Sequence, residues 1–226
     1  MRHLLIVILL AFAFPSFGKD SLRISFIPVF QGKTISSGIP LQFQNHPLVF
    51  DVFRFYISKI QLHQKGKIIF REKSSFHLMD FSEKGKMQIH LGLSKNTLQA
   101  DTISLQLGID SATNISGVHG GDLDPTNGMY WAWQSGYINM KIEGRTHFEN
   151  ESDSTFQYHL GGYAAPFSAL QHLQFAIPKN KILNIRIDLF PFMDQLHGTR
   201  PARIMSPGNK AVQLSAFMAT LFMQEP

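Results

Sequence analysis

From Leu22 to Phe190 the chain is a succession of short runs in which β-branched, aliphatic and aromatic residues alternate with polar ones, punctuated by Gly, Pro, Asn and Ser. Side chains on an extended backbone change face at every residue, so a period of two buries one face of a strand and hydrates the other. The pattern leaves little room for helices over this length. LRISFIPVF (22–30), FRFYISKIQLHQ (53–64), KIIFRE (67–72), SFHLMDF (75–81), KMQIHL (86–91) and TISLQLGI (102–109) read as strands that precede an acidic loop. MYWAWQSGYINMKIEG (129–144), STFQYHLGG (154–162), LQHLQFAI (170–177) and KILNIRIDLF (181–190) read as strands that follow it. The turn QKGK (64–67) joins the second and third runs into a hairpin. Roughly ten strands at this spacing predict an all-β fold, an antiparallel two-sheet sandwich. Only the end reads as a helix: Ser206 is placed to cap PGNKAVQLSAFMATLFM, in which Val212, Phe217, Leu221 and Phe222 fall near one stripe. This C-terminal helix is expected to pack across the sandwich.

The first residues stand apart. MRHLLIVILLAFAFPSFG (1–18) has one basic residue near its start, an apolar centre, and the small residues Ser16 and Gly18 before Lys19, the pattern of a secretory signal peptide. Its apolar run is shorter than the ~20 residues that span a bilayer, and no later run approaches that length. The mature protein, residues 19–226, is therefore expected to be one exported domain, periplasmic or secreted, without a membrane anchor. The chain has no cysteine, which removes disulfides and lipidation through Cys, so stability has to come from burial. The formal charge of +5 is spread along the chain with no basic cluster and no alternation of aromatic with basic residues, which argues against nucleic acid as a partner. The sequence carries no signal of oligomeric state.

Ten histidines beside zero cysteines suggest metal chemistry, because neutral imidazole is a good ligand for copper and zinc. His63, His77, His90 and His159 fall in the strand runs and His119 in the loop before the tryptophans. No HxH or HExxH spacing occurs, so a site would have to be assembled from distant strands. GxSxG, a cysteine nucleophile and a phosphate-cradling glycine loop are also missing, and the chain is expected not to be an enzyme. In YWAWQ the strand period puts Trp131 and Trp133, the two indoles of the chain, on one face. Such a pair could be a core contact, a sugar-stacking platform or a substrate for oxidation. In the preceding loop, Asp122, Asp124, Asn127 and Gly128 invite comparison with a calcium loop. An EF-hand needs glycine at its sixth position and glutamate at its twelfth, and these places hold Asn127 and Trp133. A turn closed by side-chain to backbone hydrogen bonds is the expectation, with a looser calcium site left open.

The order of segments FRFYISKIQL, FHLMDF, LGIDSATNISG, LDPTNGMYWAWQSGYINMKIEG and FQYHLGGY resembles the MbnP family, exported proteins associated with methanobactin loci and copper handling, in the form found in Bacteroidetes-type bacteria. The resemblance covers most of the mature chain and is most specific over residues 123–144. It implies an extracytoplasmic β-rich copper-binding protein. It also implies that a tryptophan can be oxidised to kynurenine by a partner di-haem peroxidase of the MauG-like kind. Opening an indole leaves an aromatic amine that can bind a metal beside imidazole. On this resemblance Trp131 and Trp133 are the candidates for modification, with Trp131 favoured as closer to the Asp-rich turn and hence to solvent. His77 in FHLMD, His159 in YHLGG and the loop residue His119 are the expected copper ligands. The competing readings are a carbohydrate- or peptide-binding sandwich that uses the tryptophan pair as a platform, and an exported structural domain without ligand.

Overall fold

The computed structural model describes residues 21–146, 155–196 and 203–225; the signal peptide expected at residues 1–18 lies outside them. In chain order the strands are β1 (Ser21–Phe30), β2 (Lys33–Thr34), β3 (Leu41–Phe43), β4 (His46–Gln64), β5 (Lys67–Arg71), β6 (Phe76–Asp80), β7 (Gln88–Gly92) and β8 (Thr102–Leu107). After the acidic loop come β9 (Tyr130–Trp131), β10 (Gly136–Thr146), β11 (Thr155–Gly161), β12 (Gln171–Ala176), β13 (Ile182–Asp188), β14 (Arg203–Ile204) and β15 (Phe222–Gln224). Three α-helices, α1 (Ser111–Ile115), α2 (Phe190–Leu196) and α3 (Asn209–Thr220), and two 3-10 turns in the acidic loop, Gly121–Leu123 and Pro125–Asn127, complete the elements of the described residues.

The smaller sheet runs β15-β13-β1-β2, with β7 also on β1. The larger runs β12-β8-β4-β10-β11-β14, with β3, β5 and β6 also on β4. Strand β4 organises the larger sheet. Its Arg54 and Phe55 pair with both β10 and β6, and its Ile57 and Ser58 with both β6 and β8. Strands β10 and β8 therefore follow one another along one edge, and β6 takes the other. The register slips between Ser58 and Gln61, where Lys59 has a positive φ, and this bulge bends the long strand between its two sets of neighbours.

The sheets enclose one apolar layer. Leu22, Ile24 and Phe26 of β1 and Leu183, Ile185 and Ile187 of β13 face Phe53, Phe55 and Ile57 of β4, and Phe26 meets Phe55 edge-on at 5.4 Å. The alternation in β1, β4 and β13 is what the period of two predicts, and the QKGK hairpin joins β4 to β5 as expected. The sandwich, however, is mixed rather than antiparallel. Strand β1 pairs in parallel with β13 from Arg23↔Ile182 to Val29↔Asp188, and β11 pairs in parallel with β14. Both faces of a strand look the same in sequence whichever way its neighbour runs, and β1 and β13 are joined through the whole domain, so no turn between them could reveal the direction.

Two runs are cut where the sequence reads them as continuous. KILNIRIDLF leaves the sheet after Asp188, whose carboxylate accepts from the Phe190 N–H at 3.1 Å as α2 begins. MYWAWQSGYINMKIEG is a hairpin: Trp131 pairs with Gly136, and residues 132–135 turn the chain, with Ser135 at positive φ. The C-terminal helix is present, but Ser206 does not cap it. Gly208 precedes the first turn, and no side chain accepts from the helix N–H groups there. Its buried stripe is Ala211, Leu214, Ser215 and Met218, which packs on β11 and β12.

Candidate functional site

The outer face of the larger sheet has a core of its own. Tyr56 of β4 and Leu78 of β6, cross-strand neighbours, gather with Ile109, Leu123, Met129, Trp131, Tyr137 and Ile138 beneath the segment between β8 and β10. A register shift between Ile138 and Met140 turns Ile138 to this face while Met140 and Ile142 stay in the main core.

Side chains that sequence reading leaves as turn formers hold the cover down. Asp110 caps α1 by accepting from the Thr113 N–H at 2.7 Å. Asn114 accepts from Tyr137 N–H at 2.8 Å and donates to the Ile109 carbonyl. The Asp122 carboxylate accepts from Leu78 N–H, and its carbonyl accepts from the Tyr56 hydroxyl. Burial, followed by the neighbouring Tyr137, pushes the Tyr56 phenol well above the ordinary tyrosine range, so it stays a neutral donor. Asp124 caps Thr126, whose N–H and hydroxyl hold its carboxyl below the ordinary range.

Two cations close the loop from below. Arg54 donates to the Asn127 carbonyl at 3.0 Å while pairing with Asp80 at 2.5 Å, and Lys141 donates to the Gly128 carbonyl at 3.2 Å. A calcium ion would draw on these same carbonyls and carboxylates. The observed geometry is a hydrogen-bonded turn clamped by Arg54 and Lys141, and it does not fit a calcium cage. Sequence reading passed over both cations; the signal available was that period two puts Arg54 on the same face as Tyr56.

The tryptophans do not share one environment. Trp131 is 5% exposed and Trp133 is 67% exposed, their rings 6.2 Å apart and inclined at 52°. The turn after β9 is the reason: Trp133 sits in it, so strand alternation no longer applies. Trp131 is thus the indole remote from solvent, which reverses the ground on which it was favoured for modification. A two-indole platform for sugar or peptide is not formed, because only Trp133 offers a free face. The six-membered ring of Trp131 packs on Gly161 of β11, where a Cβ would come within 2.8 Å of it. Its buried N–H has no partner among the described residues. Beside it is a cavity of about 190 Å³, lined among others by Gln134, Tyr137, Tyr163, Phe167 and Pro207.

The three candidate histidines lie on separate parts of the fold, each with its own partner. On β6, His77 donates from Nε2 to Glu72 at 2.8 Å, and Glu72 also takes the Ser75 hydroxyl. Partial burial raises the Glu72 pKa, but hydrogen bonds from His77 and Ser75 bring it below the ordinary value. On β11, His159 donates to Glu143 at 2.6 Å, and the His159 bond is the main cause that lowers the Glu143 pKa. The other His159 ring nitrogen is buried without a partner among the described residues. His119 lies 2.8 Å from the Ser116 hydroxyl, and its backbone N–H donates to the Tyr137 hydroxyl at 3.1 Å. The His119 backbone is joined to Tyr137 of the tryptophan cluster, and His159 stands two residues before Gly161, the residue on which Trp131 packs. Among the described residues, no three His, Cys, Asp or Glu side chains gather to hold a metal. His63 bonds Ser104, and His90 belongs to the other sheet.

The family model for MbnP matches residues 19–206. The chain belongs to the MbnP family. A solved structure, MbnP from Methylosinus trichosporium, superposes with a TM-score of 0.60 at 16% identity, covering 84% of this chain and 81% of that one. At that identity the likeness speaks for the fold. Comparison with curated proteins finds no match. Residues 123–144, inside the matched region, form the acidic turn, the tryptophan hairpin and most of the strand that follows it. MbnP is a family of exported proteins. Among the described residues, no helix is long and apolar enough to cross a membrane.

Proposed function

We propose that this MbnP-family chain is an exported copper-binding protein of the periplasm or the external medium, acting as a carrier and not as a catalyst. We propose further that its copper site is completed when a partner di-haem peroxidase of the MauG-like kind oxidises Trp131 to kynurenine. The observation that carries the reading is the contact between a buried and an exposed indole within the region that the family model matches. An exposed indole is where an oxidant too large to enter the fold makes contact, and a buried one is where a reactive product is kept from water. Cleaving the C2–C3 bond of Trp131 with one dioxygen, or with two peroxides reduced to water at the haem partner, adds two oxygens to give the N-formyl ring-opened product, and hydrolysis by one water releases the formyl carbon as formate and leaves an aromatic amine. Copper, when bound, would supply the protein's cargo or redox centre.

The residues fit this role in part. His119, whose backbone is tied to Tyr137, and His159, two residues before the Gly161 on which Trp131 packs, are the imidazoles at that end; His159 gives one ring nitrogen to Glu143 and keeps the other, while His77 bonds Glu72. Among the described residues the three expected ligands do not gather in one cluster, and the proposal rests on His119, His159 and the modified ring.

The test is to produce the protein with and without its di-haem partner and to measure intact mass, peptide mass and bound copper. With the partner, the peptide 129–141 should gain one oxygen and lose one carbon, and the protein should hold about one copper per chain, released as imidazole protonates near pH 6. Without it, neither should be found. Intact indoles in the co-produced protein, with copper binding equal to that of a Trp131→Phe, Trp133→Phe double variant, would defeat the proposal.

A further inference from the structure

We infer that Trp133 is an electron relay, the ring through which an oxidising haem protein seated on the tryptophan end withdraws electrons from Trp131. The inference rests on the conversion of Trp131 proposed above and names the route that drives it. Trp131 is 5% exposed, so the haem of another protein does not reach its ring. Trp133 is 67% exposed and in ring contact with it. Electron transfer falls off steeply with distance, so two indoles in contact exchange an electron faster than a buried indole exchanges one across intervening side chains. The fold makes the contact by ending the strand: Trp131 closes β9, the Gln134 N–H donates to the Trp131 carbonyl at 3.3 Å, and Trp133 stands in the turn so formed.

This end of the fold also has the surface that a partner would cover. Ile115, Val118, Phe167 and Trp133 are four of the eight large apolar side chains exposed among the described residues. All four are fastened around Tyr137. Asn114, next to Ile115, accepts the Tyr137 N–H, and His119, next to Val118, donates its own N–H to the Tyr137 hydroxyl. Phe167 lines one cavity with Tyr137 and with Gln134, the neighbour of Trp133. Exposed apolar side chains gathered in one place mark a contact surface, and encounters between redox proteins need only a small one.

The neighbouring phenols are poor alternatives as electron donors. Tyr56 and Tyr137 belong to the same cluster, their rings 6.0 Å apart. A phenol is oxidised near neutral pH only as it gives up its proton. The Tyr56 hydroxyl donates to a peptide carbonyl, which is no base, and burial raises the pKa of both tyrosines. An indole gives up an electron and keeps its proton. A cation is less stable on the buried indole than on the exposed one, so the charge rests on Trp133 and is drawn inward as the Trp131 ring is consumed. In each transfer Trp133 gives one electron to the partner's haem and recovers one from Trp131. Four transfers, with two waters adding oxygen across the Trp131 C2–C3 bond and four protons released, give the N-formyl product. At the partner the four electrons and four protons reduce two peroxides to four waters.

The test uses protein made without the partner, then mixed with the purified di-haem partner and hydrogen peroxide. Conversion of Trp131 in peptide 129–141 is followed in time at saturating partner. Trp133→Phe keeps an aromatic ring that is not oxidised, and should slow conversion by about tenfold or more. Trp133→Tyr, whose exposed phenol passes its proton to water, should recover most of that loss. Ile115→Asp should lower the affinity for the partner. Full-rate conversion in Trp133→Phe, a Trp133→Tyr no faster than Trp133→Phe, or an affinity that Ile115→Asp leaves unchanged overturns the relay while conversion of Trp131 stands. A parent whose Trp131 is never converted defeats that conversion and the relay with it.

Discussion

Trp133 touches Trp131 at 6.2 Å between ring centres, yet one indole is two-thirds exposed and the other lies against Gly161 in a closed cluster. The two should therefore answer differently to the same substitution. Trp131→Phe removes buried volume and should destabilise the protein by about 1–3 kcal/mol, whereas Trp133→Phe should stay within about 0.5 kcal/mol of the parent. Urea unfolding of the two variants measures the difference. Equal losses would mean that the hairpin turn does not separate their environments.

Arg54 links the sheet to the acidic turn through two different partners, the Asp80 carboxylate and the Asn127 carbonyl. Asp80 is almost fully buried and Arg54 is about a quarter exposed, so solvent screens only one side of the pair. Arg54→Met keeps most of the apolar stem and removes the charge. It leaves a buried carboxylate with the Ser82 contacts alone and should cost about 1–3 kcal/mol, discounted from the fully buried case for the exposure of Arg54. The more specific outcome is local: amide exchange over residues 121–128 should quicken beyond what the global loss of stability explains. Unchanged exchange there would show that Lys141 and the turn's own hydrogen bonds suffice.

The bond from His159 is the main cause that depresses the Glu143 carboxyl, and burial opposes it. A carboxyl whose pKa is lower in the folded than in the unfolded protein contributes stability above the unfolded value, about 4.3, and loses it as pH falls through the folded value. The parent should thus lose stability as pH falls below about 4.5, beyond what its other carboxyls explain. Glu143→Gln should be less stable than the parent at pH 7, and the gap between them should close in that acid window. Denaturant unfolding at a series of pH values reads both. A gap that stays constant down to pH 3 would assign the role of Glu143 to packing.

Much of this molecule is written locally. Phe53, Phe55 and Ile57 alternate with Arg54 and Tyr56 because a strand between two layers must present apolar side chains to one and different partners to the other, and such an alternation is visible in a single sequence. The same holds for the hairpin at residues 64–67, the helix near the C-terminus and the order of segments that marks the family. The acidic stretch was also legible as a turn, since Asp124 and Asn127 bond backbone groups within six residues of themselves.

What only the tertiary structure decided depends on contacts between residues distant in the chain. Period two records that a face is buried but not which way the neighbouring strand runs, so the parallel pairing of β1 with β13 left no mark. Burial of Trp131 depends on Gly161 arriving beneath it from β11, and exposure of Trp133 on a turn that opens one residue after β9. The histidines are the clearest case. His159 stands opposite Lys141 by strand register and so reaches Glu143, while His77 reaches back to Glu72, and neither choice is encoded in the spacing of histidines along the chain. Residue types and local periods determined the strands, the core-facing positions and the family; the partner of each polar side chain was set by register and layer order, which arise only when distant segments pack.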